Sequence, residues 1–196
     1  MTDAIDPARY AEELRQFRAQ KDEFFASSAQ SPIPAAARAT SFSGLAYFAP
    51  DARFRVRAAL RPFAAPDVVP LGSTKGDIRP QLRYGELIFT LDGRACRLTA
   101  YKDADEPDAP TLFVPFRDVT SGRESYGAGR YLETEEETTT KDGEGGERHA
   151  MLDFNLAYSP WCAYNEAYSC TLPPAENTLP VAVTAGERTF ADGHAS

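Results

Sequence analysis

The 196-residue chain predicts a mainly β protein: an antiparallel β-barrel or β-sandwich with one N-terminal α-helix packed on it. Three observations carry that expectation. Apolar residues follow a helical period only up to Phe25. From Phe42 onward the period is two, and the apolar runs are short, divided by proline- and glycine-rich joints with no helices alternating between them. Hydrophobic residues make up 42% of the chain and charged residues 26%, enough for one continuous core. Residues 1–41 are therefore read as a helix and proline-rich linker belonging to the same domain as the β-region, 42–188. Residues 189–196 are read as a disordered tail.

Asp6-Pro7 reads as an N-cap followed by proline in the first helical turn, where a missing N–H costs nothing. Tyr10, Leu14, Phe17, Phe24 and Phe25 then fall mostly on one stripe, whose expected place is against the sheet. Ser27, Ser28, Pro32 and Pro34 end the helix. Phe54, Val56, Ala58 and Leu60 alternate with Arg53, Arg55, Arg57 and Ala59, the pattern of a half-buried strand. Val68, Val69 and Leu71 suggest a second short strand, ended by Gly72.

The clearest hairpin turns at Asp92-Gly93, a pair suited to the positive backbone angles of a type I′ turn. That turn sets Leu91 opposite Arg94, Phe89 opposite Cys96 and Leu87 opposite Leu98, which makes Cys96 a small core residue. Further strands are expected at Thr111–Val114, Gly129–Glu133, His149–Phe154 and Leu179–Thr184. Glu135 to Glu147 holds no apolar side chain and reads as an exposed, mobile hairpin tip.

The net charge of −8 repels phosphate backbones and anionic lipid alike, so neither nucleic acid nor a membrane is an expected partner. No apolar run reaches membrane-spanning length, and the polar N-terminus lacks an apolar secretion core, which together predict a cytoplasmic protein. Three cysteines, Cys96, Cys162 and Cys170, are too few and too odd in number for a disulfide framework and suit a reducing compartment. Arg53, Arg55 and Arg57 form a positive row, best read as an outward strand face paired with acidic neighbours. Oligomeric state has no signature in the sequence.

The catalytic inventory is thin. There is no G-x-S-x-G elbow, no phosphate-binding glycine loop before lysine and serine, and no H-E-x-x-H helix. A zinc site would have to join Cys162 and Cys170 to the distant His149 at no recognised spacing, so no metal is assigned, and no cofactor is implied. The chemically dense region runs from Phe116 to Glu187. Its aromatic loop holds Tyr158, Trp161, Tyr164 and Tyr168 with two cysteines, following Asp153-Phe154-Asn155. Such a loop packs itself by its aromatics or lines an apolar pocket with a few directional polar groups.

The motifs F-R-D-V-T-S-G (116–122), G-R-Y-L (129–132), L-D-F-N-x-A-Y (152–158), C-A-Y (162–164), L-P-P-x-E-N-x-L (172–179) and A-G-E (185–187) together resemble the bacterial and archaeal proteins grouped as domain of unknown function family 1684. The resemblance runs from about Phe42 to Glu187 and takes in the Phe24-Phe25 pair of the helix. Thr171, where the family pattern has proline, departs from it. The resemblance implies a common fold and brings no activity, substrate or cofactor.

The leading functional expectation is a small-ligand-binding β-domain. Its candidate pocket is built from Arg130, Asp153, Asn155, Tyr158, Trp161 and Tyr164, with Arg130 and Asp153 as a buried charge pair that orients the aromatic loop. The alternative is a hydrolase or metal-assisted enzyme using Asp153 or His149 as acid–base groups with Cys162, which requires those groups to approach within hydrogen-bond reach. A third reading is a protein-interaction module using the helix stripe or an uncovered strand edge.

Overall fold

The computed structural model describes residues 6–141 and 144–190. Helix α1 spans Pro7–Ser27, and the side chain of Asp6 accepts the Ala8 N–H at 3.0 Å, the N-cap expected of that residue. A short helix α2, Ala35–Thr40, follows in the segment read as linker. Six strands then form a closed antiparallel barrel in sequence order: β1 Arg55–Gly72, β2 Ile78–Leu91, β3 Arg94–Asp103, β4 Thr111–Phe116, β5 Arg130–Lys141 and β6 Glu144–Asp153. Closure of β6 on β1 removes the open sheet edges a sandwich would leave.

The β2–β3 hairpin has the register that Asp92-Gly93 dictates, with Leu91 facing Arg94, Phe89 facing Cys96 and Leu87 facing Leu98. Both turn residues have positive φ, 48° and 73°. Residues 53–60 and 68–71, expected as two strands, instead fall in one long β1 from Arg55 onward, preceded by a 3-10 turn at Ala52–Phe54. Pro62 and Pro66 lack the N–H a ladder needs, and the register shifts between Pro62 and Asp67. Arg55–Ala59 pair with β6, and Ala59–Pro62 and Asp67–Gly72 pair with β2.

The polar stretch from Glu135 is mostly ladder: Glu136–Thr139 pair with Glu147–Ala150. The mobile tip expected over Glu135–Glu147 is thus a paired hairpin over most of its length, and residues 142–143 lie outside the described residues. The expected C-terminal tail begins with docked side chains, since the Phe190 ring packs 5.4 Å from Tyr164 and 6.3 Å from Phe42. Residues 191–196 lie outside the described residues.

Inside the barrel, Leu87, Leu98, Leu112, Val114, Leu132 and Leu152 are fully buried around the Phe89, Phe116 and Phe154 rings. Leu179, Val181, Val183 and Ala185 join this core, but 179–184 is not a strand as expected. Its alternation is that of an extended segment packed into the barrel core, and side chains take the place of a ladder. Asn177 Nδ2 donates to the Thr99 and Pro115 carbonyls at 2.9 and 2.8 Å, Asp118 Oδ2 accepts the Val183 N–H at 2.7 Å, and Arg130 donates to the carbonyls of Val183, Ala185 and Glu187. Every buried backbone group needs a partner, and here the partners are amide, carboxylate and guanidinium.

The helical stripe is split in the folded protein. Tyr10, Leu14 and Phe25 are buried, whereas Phe17 and Phe24 remain 44% and 38% exposed. Residues 17 and 24 sit one full heptad apart on the flank of the buried face, so the helix lies against the barrel along one edge of its stripe.

Candidate functional site

The segment after β6 is shaped by its own side chains. Asp153 caps the short 3-10 turn Phe154–Leu156 by accepting the Asn155 N–H at 3.1 Å. Tyr158 exchanges two backbone hydrogen bonds with Tyr131 on β5, at 2.8 and 3.0 Å. A second 3-10 turn, Trp161–Ala163, then presents Trp161 outward, 42% exposed.

Between this segment and α1 lies a cleft of about 420 Å³, lined by Phe17, Gln20, Lys21, Phe24 and Phe25 from the helix and by Tyr158, Ser159 and Trp161. Its floor carries one ion pair. Lys21 Nζ lies 2.6 Å from Glu187 Oε1, above the rings of Tyr158 and Phe25 at 4.9 and 5.6 Å. Glu187 is 2% exposed, accepts the Ser159 N–H at 2.7 Å and is hydrogen-bonded by the Tyr164 hydroxyl. Burial, reinforced by the Glu187 charge, pushes the Tyr164 phenol well above its ordinary pKa. Phe17 also borders a neighbouring cleft of about 380 Å³ that holds Tyr10, Arg55, Asp153 and Leu156.

Of the six expected pocket residues, Tyr158 and Trp161 line the first cleft and Asp153 the second. The other three are internal. Arg130 is completely buried and does not pair with Asp153. Its partner is Asp118 at 3.4 Å, and its two Nη groups also donate to the carbonyls of Val183, Ala185 and Glu187. The correction follows from register: Arg130 starts β5 opposite Phe116 of β4, beside the 117–118 turn, whereas Asp153 ends β6 opposite Arg55 of β1. Asp153 accepts the Tyr10 hydroxyl at 2.6 and 2.7 Å, with Arg55 Nε 3.5 Å away. Burial first, and the Asp153 hydrogen bond second, raise the Tyr10 pKa. Asn155 clips residue 51, accepting the Asp51 N–H and donating to the Asp51 carbonyl at 2.9 and 2.8 Å.

His149, Asp153 and Cys162 have separate partners, and among the described residues none of the three hydrogen-bonds to another. His149 lies 2.9 Å from Glu137 Oε2 and 2.9 Å from Arg57 Nη2, while Cys162 meets Tyr126 and Cys170. Of the arginine row, expected to pair with acidic residues on the next strand, Arg55 approaches Asp153 of β6, whereas Arg53 pairs with Asp51 in its own 3-10 turn and Arg57 meets Thr139 and His149.

Cys162 is nonetheless an unusual thiol. Its hydrogen bond with the Cys170 thiol, aided by Tyr126 and Thr74, pulls its pKa below the ordinary range against the effect of burial. Alkylation by iodoacetamide should therefore reach half its limiting rate at Cys162 below the ordinary thiol value of about 8.5. Cys96, pushed the other way by burial in the barrel, should stay unmodified until the protein unfolds. A peptide-resolved pH profile reads both, and a Cys162 profile superimposing on that of a free thiol would contradict the geometry.

Comparison with known proteins places these features. The family model described as "Protein of unknown function (DUF1684)" matches residues 40–188. The chain belongs to the DUF1684 family. The solution NMR structure of an uncharacterised protein from Haloarcula marismortui is similar, at 43% identity, covering 96% of this chain and 98% of that one, with a TM-score of 0.69. No curated protein matches.

Several DUF1684 motif residues now have physical roles. Asp118 and Arg130 join the F-R-D-V-T-S-G and G-R-Y-L motifs by a buried ion pair, Asn177 of L-P-P-x-E-N-x-L bridges β3 and β4, and Glu187 of A-G-E anchors Lys21. Reading the sequence left out Lys21, Asp118 and Glu187. Motif position singled out the last two, but nothing in the helix pattern separates Lys21 from a solvated lysine.

Proposed function

We propose that this protein binds a small, largely apolar ligand in the cleft between α1 and the 158–161 segment. The ligand carries an oxygen acceptor that meets the Lys21 ammonium. The observation that carries this reading is the grouping of three partly exposed aromatic rings, Phe17, Phe24 and Trp161, around a sheltered ammonium–carboxylate pair. An apolar wall with one directional polar group is the usual composition of a small-molecule site. Glu187 takes up one of the three donors of the ammonium, so a carbonyl or carboxylate can accept another. Three unpaired cysteines suit a reducing cytoplasmic setting for such a ligand. Among the described residues, no helix is long and apolar enough to cross a membrane.

Trp161 is the sole tryptophan and lines the cleft, so its emission responds to what the cleft holds. In a screen of aromatic and medium-chain carboxylates and their amides, a ligand should shift Trp161 emission and raise the melting temperature together, since binding only the folded state must stabilise it. Phe24→Ala should weaken that binding about tenfold or more, the effect of losing roughly 1.5 kcal/mol of apolar contact. Compounds that bind the Phe24→Ala protein equally well, or a screen in which emission and melting temperature never move together, would remove the proposal.

A further inference from the structure

A second site follows Trp161 in the chain. Cys162 and Cys170 flank a short loop, and neither lines the cleft. Both are unpaired and 8% exposed. The Cys162 N–H donates to Cys170 Sγ at 3.1 Å, and the Tyr126 hydroxyl donates to Cys162 Sγ at 3.7 Å. A sulfur held that close to the Cys162 amide keeps the two Cα atoms about 7 Å apart or less, the span a disulfide tolerates. The Cys170 N–H in turn donates to Thr74 Oγ1 at 3.1 Å, and the Cys170 carbonyl accepts the Thr74 N–H at 2.9 Å, which fixes the second cysteine to the β1–β2 connection. Beside the two cysteines the Trp161 and Tyr168 rings meet edge to face, 5.1 Å apart.

We propose that Cys162 and Cys170 are a reversible dithiol switch, oxidised to an intrachain disulfide by hydroperoxides. Cys162 is the attacking sulfur. Its thiolate displaces hydroxide from hydrogen peroxide, breaking the O–O bond and forming a sulfenic acid. The Cys170 sulfur then attacks the Cys162 sulfur, its proton leaves with the hydroxyl as water, and the S–S bond forms. Two thiols lose two electrons and one peroxide becomes two waters. The roles follow from the surroundings. The Tyr126 hydroxyl donates to Cys162 Sγ and favours its thiolate, while interaction with the Cys162 sulfur, together with burial, holds Cys170 protonated. Oxidation of Cys162 discharges that neighbour, which releases Cys170 for the second step. A small oxidant fits the low exposure of both sulfurs, and the third cysteine, Cys96, is set apart in the barrel core.

The test is peroxide treatment of the reduced full-length protein, followed by acid quenching, alkylation and intact-mass and peptide analysis. The expected product is lighter by two hydrogens, carries one disulfide joining Cys162 to Cys170, leaves Cys96 free and returns to the starting mass with dithiothreitol. The Cys170→Ser variant should stop at a sulfenic acid on Cys162 that dimedone traps, and Cys162→Ser should form no intrachain bond. The wild-type peptide map decides the matter even if either variant folds poorly. Retention of all three thiols, a cross-link through Cys96 or a second chain, or direct passage of Cys162 to sulfinic acid would each overturn the proposal.

Discussion

Replacing Arg130 by methionine should cost about 3–5 kcal/mol of folding stability, the usual penalty for removing one partner of a buried charge pair. Against a typical total of about 5–15 kcal/mol, that is a large share or the whole of what a domain has. The reason is local. Arg130 is completely buried between the rings of Phe116 and Phe48, at 5.3 and 5.8 Å, and its guanidinium is the donor for the Val183, Ala185 and Glu187 carbonyls as well as the partner of Asp118. Methionine would leave the Asp118 carboxylate without its counter-charge and take the guanidinium donor from three carbonyls in the interior. Lysine should rescue little, because a single ammonium cannot reach along an extended backbone as a planar fork does. Denaturant unfolding measures the loss. Arg53→Met, which breaks an exposed pair with Asp51, is the control and should leave the midpoint unchanged. A mild Arg130→Met phenotype would mean that the 183–187 segment is held by packing alone.

Gly186→Ala should destabilise the protein by about 2–4 kcal/mol, combining backbone strain with a steric clash. Gly186 has φ of +75°, and a Cβ there would lie 2.5 Å from the Ala157 carbonyl oxygen and 2.7 Å from that of Phe154. Neither oxygen can retreat freely, since they accept the Glu187 and Ala157 N–H groups. Gly93 separates the two causes. Its φ is +73°, nearly the same, but nothing lies within 4 Å of the position a Cβ would take. Gly93→Ala should therefore show the conformational term alone, about 1 kcal/mol, with the excess in Gly186→Ala attributable to crowding. Equal losses in the two variants would refute that division. Because Gly186 precedes Glu187, the same change should disturb the Lys21 pair and shift Trp161 emission, linking barrel closure to the shape of the cleft.

The architecture was legible wherever a local pattern had one physical solution. Asp92-Gly93 admits a tight turn of one hand, and that turn sets every pair from Leu91–Arg94 to Leu87–Leu98. Asp6-Pro7 likewise begins a helix because capping is a matter of neighbouring atoms. At 179–184 a strand is expected, and the structure buries Leu179, Val181 and Val183 in alternation, and yet the segment is no strand. Period-two burial needs only an extended chain, while strand character needs a backbone neighbour, and here the neighbour is a side-chain network.

Local pattern thus determined the helix, the hairpin register, the mainly β class and the identity of the core. The tertiary structure decided the closure into a barrel, the split of the helix stripe and the partners of the charged residues. Arg130 finds Asp118 instead of Asp153, and Lys21, on a helix far away in sequence, supplies the polar floor of the aromatic cleft. The physical reason is range: backbone sterics and capping act over a few residues, whereas a buried charge takes whichever opposite charge the closed barrel brings within reach.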